Sequence, residues 1–560
     1  MERKQFIGSD IRATFTAVCV GLFVLLSAGY GQEPIRKEVR VVKPYEPSLS
    51  GAFKINKLPV MSDTVQLTPD IEYEVEPKFF QPDFEFTPLK AARMESEQIS
   101  KLYPSFLKLG FGSYTTPFGE FYINSLRSKN TSLGAHVRHI SSYGKTRLSN
   151  EKKVFSGYGD TDAKIYGKRI FKSSVLSAEA GVQQDWVHQY GYHAEMDTTL
   201  DKKDIRQEYL DLFGGLIIHS NHIDSSRMDY RFSANYHYFN DRFKNVQHEV
   251  NFEGKMGTGL LGGMVGGTMD VMALSYHTDS MDAPVTFIGL EPWYSKRTGA
   301  WNLDLSVDIR FEFREGKTTP HFYPRAKLLF HVVPQYLTSY VGVTGTLEQH
   351  TYRSITGENP FLVPGLEVES ANRKLSFYGG FNGSFSRRSS YHLRGSFSLI
   401  DHMYFFVNDT VSSLGNTFSL EYDNVQLGRI FGEVNTDIGT RSHVSLRGNY
   451  YNYTVSVQDR AWHKPDFDIA AIWNYNIRDK ILVGLEAYYV GTRYAKSYEV
   501  SRSEYVLDGF LDLNLKLEYR YSKILSAFLQ FNNLLGKGYQ IWNQYPVQRF
   551  SIFGGFTYAL

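Results

Sequence analysis

From Trp301 to Arg314 apolar and polar residues alternate without a break. Trp301, Leu303, Leu305, Val307, Ile309, Phe311 and Phe313 fall on one parity, and Asn302, Asp304, Ser306, Asp308, Arg310, Glu312 and Arg314 on the other. A β-strand sends successive side chains to opposite faces, so the pattern predicts one apolar face and one charged face. It returns between residues 511 and 521, where Leu511, Leu513, Leu515, Leu517, Tyr519 and Tyr521 oppose Asp512, Asn514, Lys516, Glu518 and Arg520. Weaker copies occupy 230–238 and 481–489, the latter opposite Glu486. In the last segment Phe550, Ile552, Gly554, Phe556, Tyr558 and Leu560 carry the apolar parity to the final residue.

Soluble sandwiches also alternate, but their strands average about 5–6 residues. Here the alternation persists for roughly 10 to 14 residues, enough to cross a bilayer at a tilt of ~45°. Trp301, Phe313, Tyr519 and Tyr521 sit near strand ends, where aromatic girdles mark the two membrane interfaces. In hydrocarbon an unpaired backbone edge costs several kcal/mol per group, and closing the sheet removes the edge. The fold expected is therefore all-β, a transmembrane antiparallel β-barrel over residues 102–560. At roughly 20–21 residues per strand with its connection it has about 22 strands, within a range of about 20 to 24 and even in number. Its polar parity is expected to face the lumen. Asp304, Asp308, Arg310 and Glu312, with Asp512, Lys516, Glu518 and Arg520, are the candidate lumen residues.

Composition agrees. The chain has 39 Tyr, 40 Phe and 6 Trp, yet the mean hydropathy is −0.33. Apolar residues are thus diluted by polar ones, and no run of ~20 apolar residues after the N-terminus supports a helical membrane protein. Disordered chains are poor in aromatics, which excludes that class. A net charge of +2 gives no basic footprint, so no nucleic-acid partner is expected.

The first residues differ. Arg3, Lys4 and Arg12 precede an uncharged run from Ala13 to Ala28 and the small residues Ser27, Ala28, Gly29 and Gly31. This predicts a signal peptide over 1–31; a single membrane anchor is the alternative, short for the ~30 Å of hydrocarbon. The one cysteine, Cys19, would leave with it. Residues 32–101 then form a proline-rich segment, with Pro34, Pro44, Pro47, Pro59, Pro69, Pro77, Pro82 and Pro88 spaced to forbid long helices and central strands. Arg36, Lys37, Arg40, Lys43, Lys54 and Lys57 come first, then Asp63, Asp70, Glu72, Glu74, Glu76, Asp83 and Glu85. Such a segment reads either as an extended, solvated arm or as a docking arm for a periplasmic or outer-membrane protein partner. A short amphipathic helix is expected over 89–101.

The C-terminus adds a resemblance. Phe531-Asn532-Asn533-Leu534-Leu535-Gly536-Lys537-Gly538-Tyr539, followed by Tyr545-Pro546 and Arg549, resembles the end of TonB-dependent receptor barrels. Gly555, Tyr558 and Leu560 are similar to the signal read by the outer-membrane insertion machinery, with Leu560 in place of the usual Phe. The resemblance implies a barrel in the lipid of a Gram-negative outer membrane, with both mature termini periplasmic. It also implies a folded plug before the barrel, and 32–101 is too short and too rich in proline to be one. The chain therefore resembles a plugless relative, whose lumen must be narrowed by inward loops, the N-terminal arm or a partner. Asp63-Thr64-Val65-Gln66-Leu67 looks only vaguely like the box that contacts TonB.

Other motifs lead elsewhere. Gly257-Thr258-Gly259-Leu260-Leu261-Gly262 matches G-x-G-x-x-G, but a dinucleotide site needs a helix next and Gly263-Met264-Val265-Gly266-Gly267 reads as strand. His136 and His139 on one strand face opposite sides and cannot share a metal. His219-Ser220-Asn221-His222 with Asp224 reads as an extracellular polar loop rather than a metal site. No local motif selects a catalytic set, so no enzyme activity and no cofactor are expected. The function expected is a receptor- or channel-like barrel that binds or passes a solute. The alternative is a structural subunit of a larger outer-membrane complex.

Overall fold

The computed structural model describes residues 102–560 apart from 127, 193–200, 222–227, 280, 411–413 and 499–502. The expected signal peptide, the arm and its 89–101 helix lie outside the described residues.

Twenty-two strands pair antiparallel, each with its neighbours in the chain, and the first closes on the last. At the seam Ser105–Gly112 runs beside Ser551–Ala559, with Phe106 opposite Ala559 and Gly112 opposite Phe553. The ring finishes on the terminal residue, because Leu560 N–H donates to Ser105 O at 2.9 Å. Closure leaves no edge, which is what the long alternating segments require.

The alternating segments of the sequence are strands Asp229–Asp241, Trp301–Arg314, Ile481–Val490, Phe510–Arg520 and Ser551–Ala559. Parity decides exposure. Leu305, Val307 and Phe313 are exposed, whereas Asp308 between them is fully buried. The same outward apolar series includes Leu133, Ile165, Leu216, Phe322, Phe377 and Ile430 on strands spread around the ring. Among the described residues no helix is long and apolar enough to cross a membrane.

The two ends of the ring differ. At the end where residues 102 and 560 lie, connections are short, as at Leu261–Gly262, which joins Val246–Leu260 to Gly263–His277. Both turn residues have positive φ, 55° and 68°, the left-handed pair that matches strand twist in a two-residue hairpin. The G-x-G-x-x-G match is therefore this hairpin, as its glycine-rich continuation suggested. The opposite end carries the longer connections 143–157, 189–205, 349–370, 491–509 and 533–550, with short hairpins of their own at Lys145–Arg147/Lys153–Phe155 and Arg493–Lys496/Glu504–Leu507. Two long strands, Ser389–Asn408 and Phe418–Ile438, reach 20 and 21 residues, about twice what a bilayer crossing needs. Their surplus rises into the long-connection end. His219 and Ser220, expected in an extracellular loop, instead finish strand Arg206–Ser220 at the short-connection end. Strand direction alternates around the ring, and this strand begins at the long 189–205 connection, so it must end on the other side.

Candidate functional site

Along Trp301–Arg314 and the strands beside it the polar parity is a network of ion pairs. Asp308 Oδ2 accepts from Arg310 Nε at 2.9 Å and from Arg325 Nη2 at 2.5 Å. Arg310 also grips both oxygens of Asp270 at 3.0 and 3.1 Å, and Arg325 Nη1 donates to Glu291 at 3.0 Å. Asp304 accepts from Ser295 at 2.6 Å, and Glu312 accepts from Arg314 Nε at 3.0 Å. A carboxylate removed from water is costly unless cations hold it, so these residues fold as ion pairs within one strand and across neighbouring ones. The second predicted set is built the same way. Lys516 Nζ reaches Glu486 at 2.5 Å, Arg520 Nε reaches Glu518 at 3.3 Å, and Tyr539 OH donates to Asp512 Oδ2 at 2.8 Å. The two sets do not meet, because their strands stand on nearly opposite sides of the ring.

His136 and His139 have separate partners, as their parity demands. His136 lies between Glu120 and Asp162 at 3.3 and 3.1 Å, while His139 contacts Thr161 and Ser141. Among the described residues no group of three His, Cys, Asp or Glu converges on a metal position.

At the long-connection end the loops form one interlocked web that the sequence did not reveal. The 349–370 connection carries the helix Tyr352–Glu358, capped reciprocally by Thr351 and Ser354. Its parent strands are Leu337–Glu348 and Ala371–Ser386, yet it bonds to strands five to seven places around the ring from the nearer parent. Tyr352 OH donates to Asp241 at 3.0 Å, Arg353 Nη2 contacts both oxygens of Glu249 at 3.0 Å, and Tyr209 OH donates to Pro360 O at 2.9 Å. Contacts over that separation run across the mouth. Phe361 and Leu362 then join Ile355, Phe406, Phe418 and Tyr545 in a buried apolar cluster.

Tyr545 brings in the 533–550 connection from a third arc. Its ring stacks on Phe361 at 3.8 Å and its hydroxyl donates to Asn416 O. Tyr190, from 189–205, donates to Pro546 O at 3.0 Å. Next to them Asn543 N–H donates to His463 Nε2 at 3.2 Å while His463 Nδ1 bonds Phe406 O at 2.9 Å. Both ring nitrogens are used by the neutral imidazole alone, and burial pushes the His463 pKa down to about 3. Arg493 donates to the carbonyls of Ile541 and Gln540, and burial lowers its pKa to about 10. Asp423 Oδ2 accepts the amides of Ser456, Val457 and Gln458 at 3.1, 2.9 and 2.8 Å, which pins the 456–466 connection. Loops from three arcs thus meet over one mouth and are held by buried hydrogen bonds. The lone local signal was the cap Thr351-x-x-Ser354, too weak to announce a strap.

Solved structures similar to this fold include outer-membrane receptors. The chain superposes on the FrpB iron transporter of Neisseria meningitidis with TM-score 0.65 at 10% identity, covering 82% of each chain. On the pyoverdine receptor FpvA of Pseudomonas aeruginosa, bound to pyoverdine, the TM-score is 0.63 at 10% identity over 83% of this chain and 79% of that one. For the ferric-catecholate import receptor Fiu of E. coli K12 the figures are 0.61, 11%, 83% and 82%. No family model matches the sequence, and no curated protein matches it in sequence. The chain has the 22-strand barrel fold of TonB-dependent receptors, as the C-terminal resemblance implied.

Proposed function

We propose that this chain is a receptor-like barrel of a Gram-negative outer membrane that binds a solute and passes it, with the paired polar parity lining the lumen. The closed 22-strand ring, similar over four fifths of its length to solved iron-transport receptors, carries this reading. A ring of that size encloses a space wide enough for water and solutes. Its wall offers carboxylates and guanidinium groups in nearly matched pairs, a hydrated surface without strong overall ion preference. The long-connection end faces outward and residues 102 and 560 face the periplasm; export by the 1–31 leader and insertion through Tyr558 and Leu560 complete the reading. Catalysis has no place in it. Purified protein in planar bilayers tests the proposal: solute-dependent conductance or saturable solute binding supports it, and a barrel inert in both respects overturns it.

The interlocked mouth favours a second reading, a structural subunit whose 32–101 arm docks a partner. Pulldown of the native protein separates the two. Stoichiometric partners lost on deleting 32–97 support the subunit, whereas recovery of the barrel alone under mild detergent argues for the receptor.

A further inference from the structure

One groove on the polar face gathers three cations that no carboxylate holds among the described residues. It has a volume of about 660 Å³ and lies towards the short-connection end, on the arc between the turn at 439–441 and the seam strand Ser105–Gly112. Its charged lining residues are Lys108, Arg388, Asp437, Arg441, His443, Lys516 and Glu518. The carboxylates are all engaged. Asp437 is held by His443 at 2.8 Å, Glu518 by Arg520 at 3.3 Å, and the nearby Glu486 by Lys516 at 2.5 Å.

Lys108, Arg388 and Arg441 have no carboxylate partner among the described residues. Lys108 pairs in register with Glu120, yet Glu120 is taken up by Tyr122 OH at 2.7 Å and His136 at 3.3 Å. The Lys108 ammonium instead stands over the rings of Phe528 and Phe118, at 4.6 and 5.4 Å from their centroids. That contact holds it in place without neutralising it. Arg388 and Arg441 project from neighbouring hairpin turns whose backbones are tied to adjoining strands, through Asp437 N–H to Arg388 O at 2.8 Å and Asn476 N–H to Arg441 O at 2.8 Å. Two forked guanidinium groups and one point charge line a concavity already furnished with Asn474, Asn476 and Gln530. The volume falls in the range of small-molecule sites.

We propose that this groove is a binding site for a multivalent anion carrying phosphate or clustered carboxylate groups. Guanidinium forks match such oxyanions in bidentate geometry, and Lys108, Arg388 and Arg441 outnumber the lining carboxylates Asp437 and Glu518, of which Asp437 has a histidine rather than a fixed cation as its partner. The site deepens the receptor reading and rests on it only for the direction in which the polar face points. It also gives the wall a local preference, with anions concentrated at this end.

Phosphate groups could arrive on a free solute or on an anionic phospholipid, and the test separates them. The full chain in zwitterionic detergent is titrated with inorganic pyrophosphate at low salt and at 0.5 M salt. In parallel, native mass spectrometry follows retention of phosphatidylglycerol against phosphatidylcholine from mixed nanodiscs. Saturable pyrophosphate binding is expected, weakened by salt and roughly tenfold for each cation lost in Arg388→Gln, Arg441→Gln and Lys108→Gln. Lys523→Gln, on a turn outside the groove, serves as the control and should leave it unchanged. Displacement of retained phosphatidylglycerol by pyrophosphate, with loss of both in the variants, identifies the lipid as a source; pyrophosphate binding without lipid retention identifies a free anion. Absence of saturable binding of either, or binding indifferent to all three substitutions, overturns the site. Conductance measured on the same preparations keeps the outcomes apart, since a conducting barrel without an anion site loses this inference alone.

Discussion

Protonating His463 would put a cation among Phe406, Phe418 and Trp542 and remove the acceptor that holds the Asn543 amide. Arg493 and Lys464 add repulsion to the desolvation that dominates. The folded-state pKa therefore lies near 3, below the ordinary value of 6.5. An unfolded web binds the proton more readily than the folded one between those values. The stability His463 contributes is full above about pH 6.5 and is lost as pH falls towards 3. Hydrogen exchange at Asn543, corrected for intrinsic rates, should accelerate through that window, and His463→Asn should flatten the profile. A native profile as flat as the variant's would mean that His463 does not couple the loops to pH. A neighbouring case is Arg353. Arg353→Met leaves the Glu249 carboxylate, buried beneath it, without its cation. Breaking a fully buried pair costs about 3–5 kcal/mol, and the partial exposure of Arg353 brings this to roughly 1–3 kcal/mol. Exchange protection across 349–370 should fall accordingly, and Glu249→Gln in the same chain should restore part of it.

At the scale of the strand, parity is the property under test. Val307 is exposed on the outer face at the middle of Trp301–Arg314, and Asp304 lies on the other face beside Ser295. Val307→Arg should cost about 2–4 kcal/mol of unfolding free energy in lipid vesicles, the figure for a cation at the bilayer midplane. Asp304→Asn should stay within about 1 kcal/mol. Equal effects would reject the assignment of faces. These strands were legible because period 2 is a local property: Leu305, Val307 and Asp308 declare their faces whatever surrounds them. Closure follows from that pattern plus the need to leave no edge, and chain length per strand narrowed the strand number to about 20 to 24, where 22 are found. The mouth was not legible. His463 meets Asn543 and Gln189 meets Leu362 across separations that no periodicity encodes. The groove at Lys108 escaped for a related reason, since a missing partner shows only after every neighbour has been placed. His219 and Ser220 read as loop yet finish a strand, because composition marks polar residues without saying whether their backbone pairs.

For the whole molecule the question is where the barrier to passage stands. Twenty-two strands enclose a lumen that natural barrels of this size keep plugged. Here the described loops bridge the mouth, and the 349–370 connection is the member that reaches farthest, from Glu348 and Ala371 to Asp241 and Glu249. Its two flanking residues already pair across adjacent strands, so a short Gly-Ser turn can replace 352–368 without disturbing the ring. That replacement removes Tyr352, Arg353, Ile355 and Leu362 together, and with them the polar anchors and the apolar centre of the web. If the web is the barrier, the intact protein conducts little in planar bilayers and the replaced chain conducts steadily, while both keep the same β-sheet content by circular dichroism. His463→Asn at neutral pH should give intermediate, flickering openings, because it loosens one tie and leaves the strap. Equal conductance for intact and replaced chains would move the barrier away from the mouth. The loops would then be a lid over a lumen closed elsewhere, and the subunit reading would gain over the receptor.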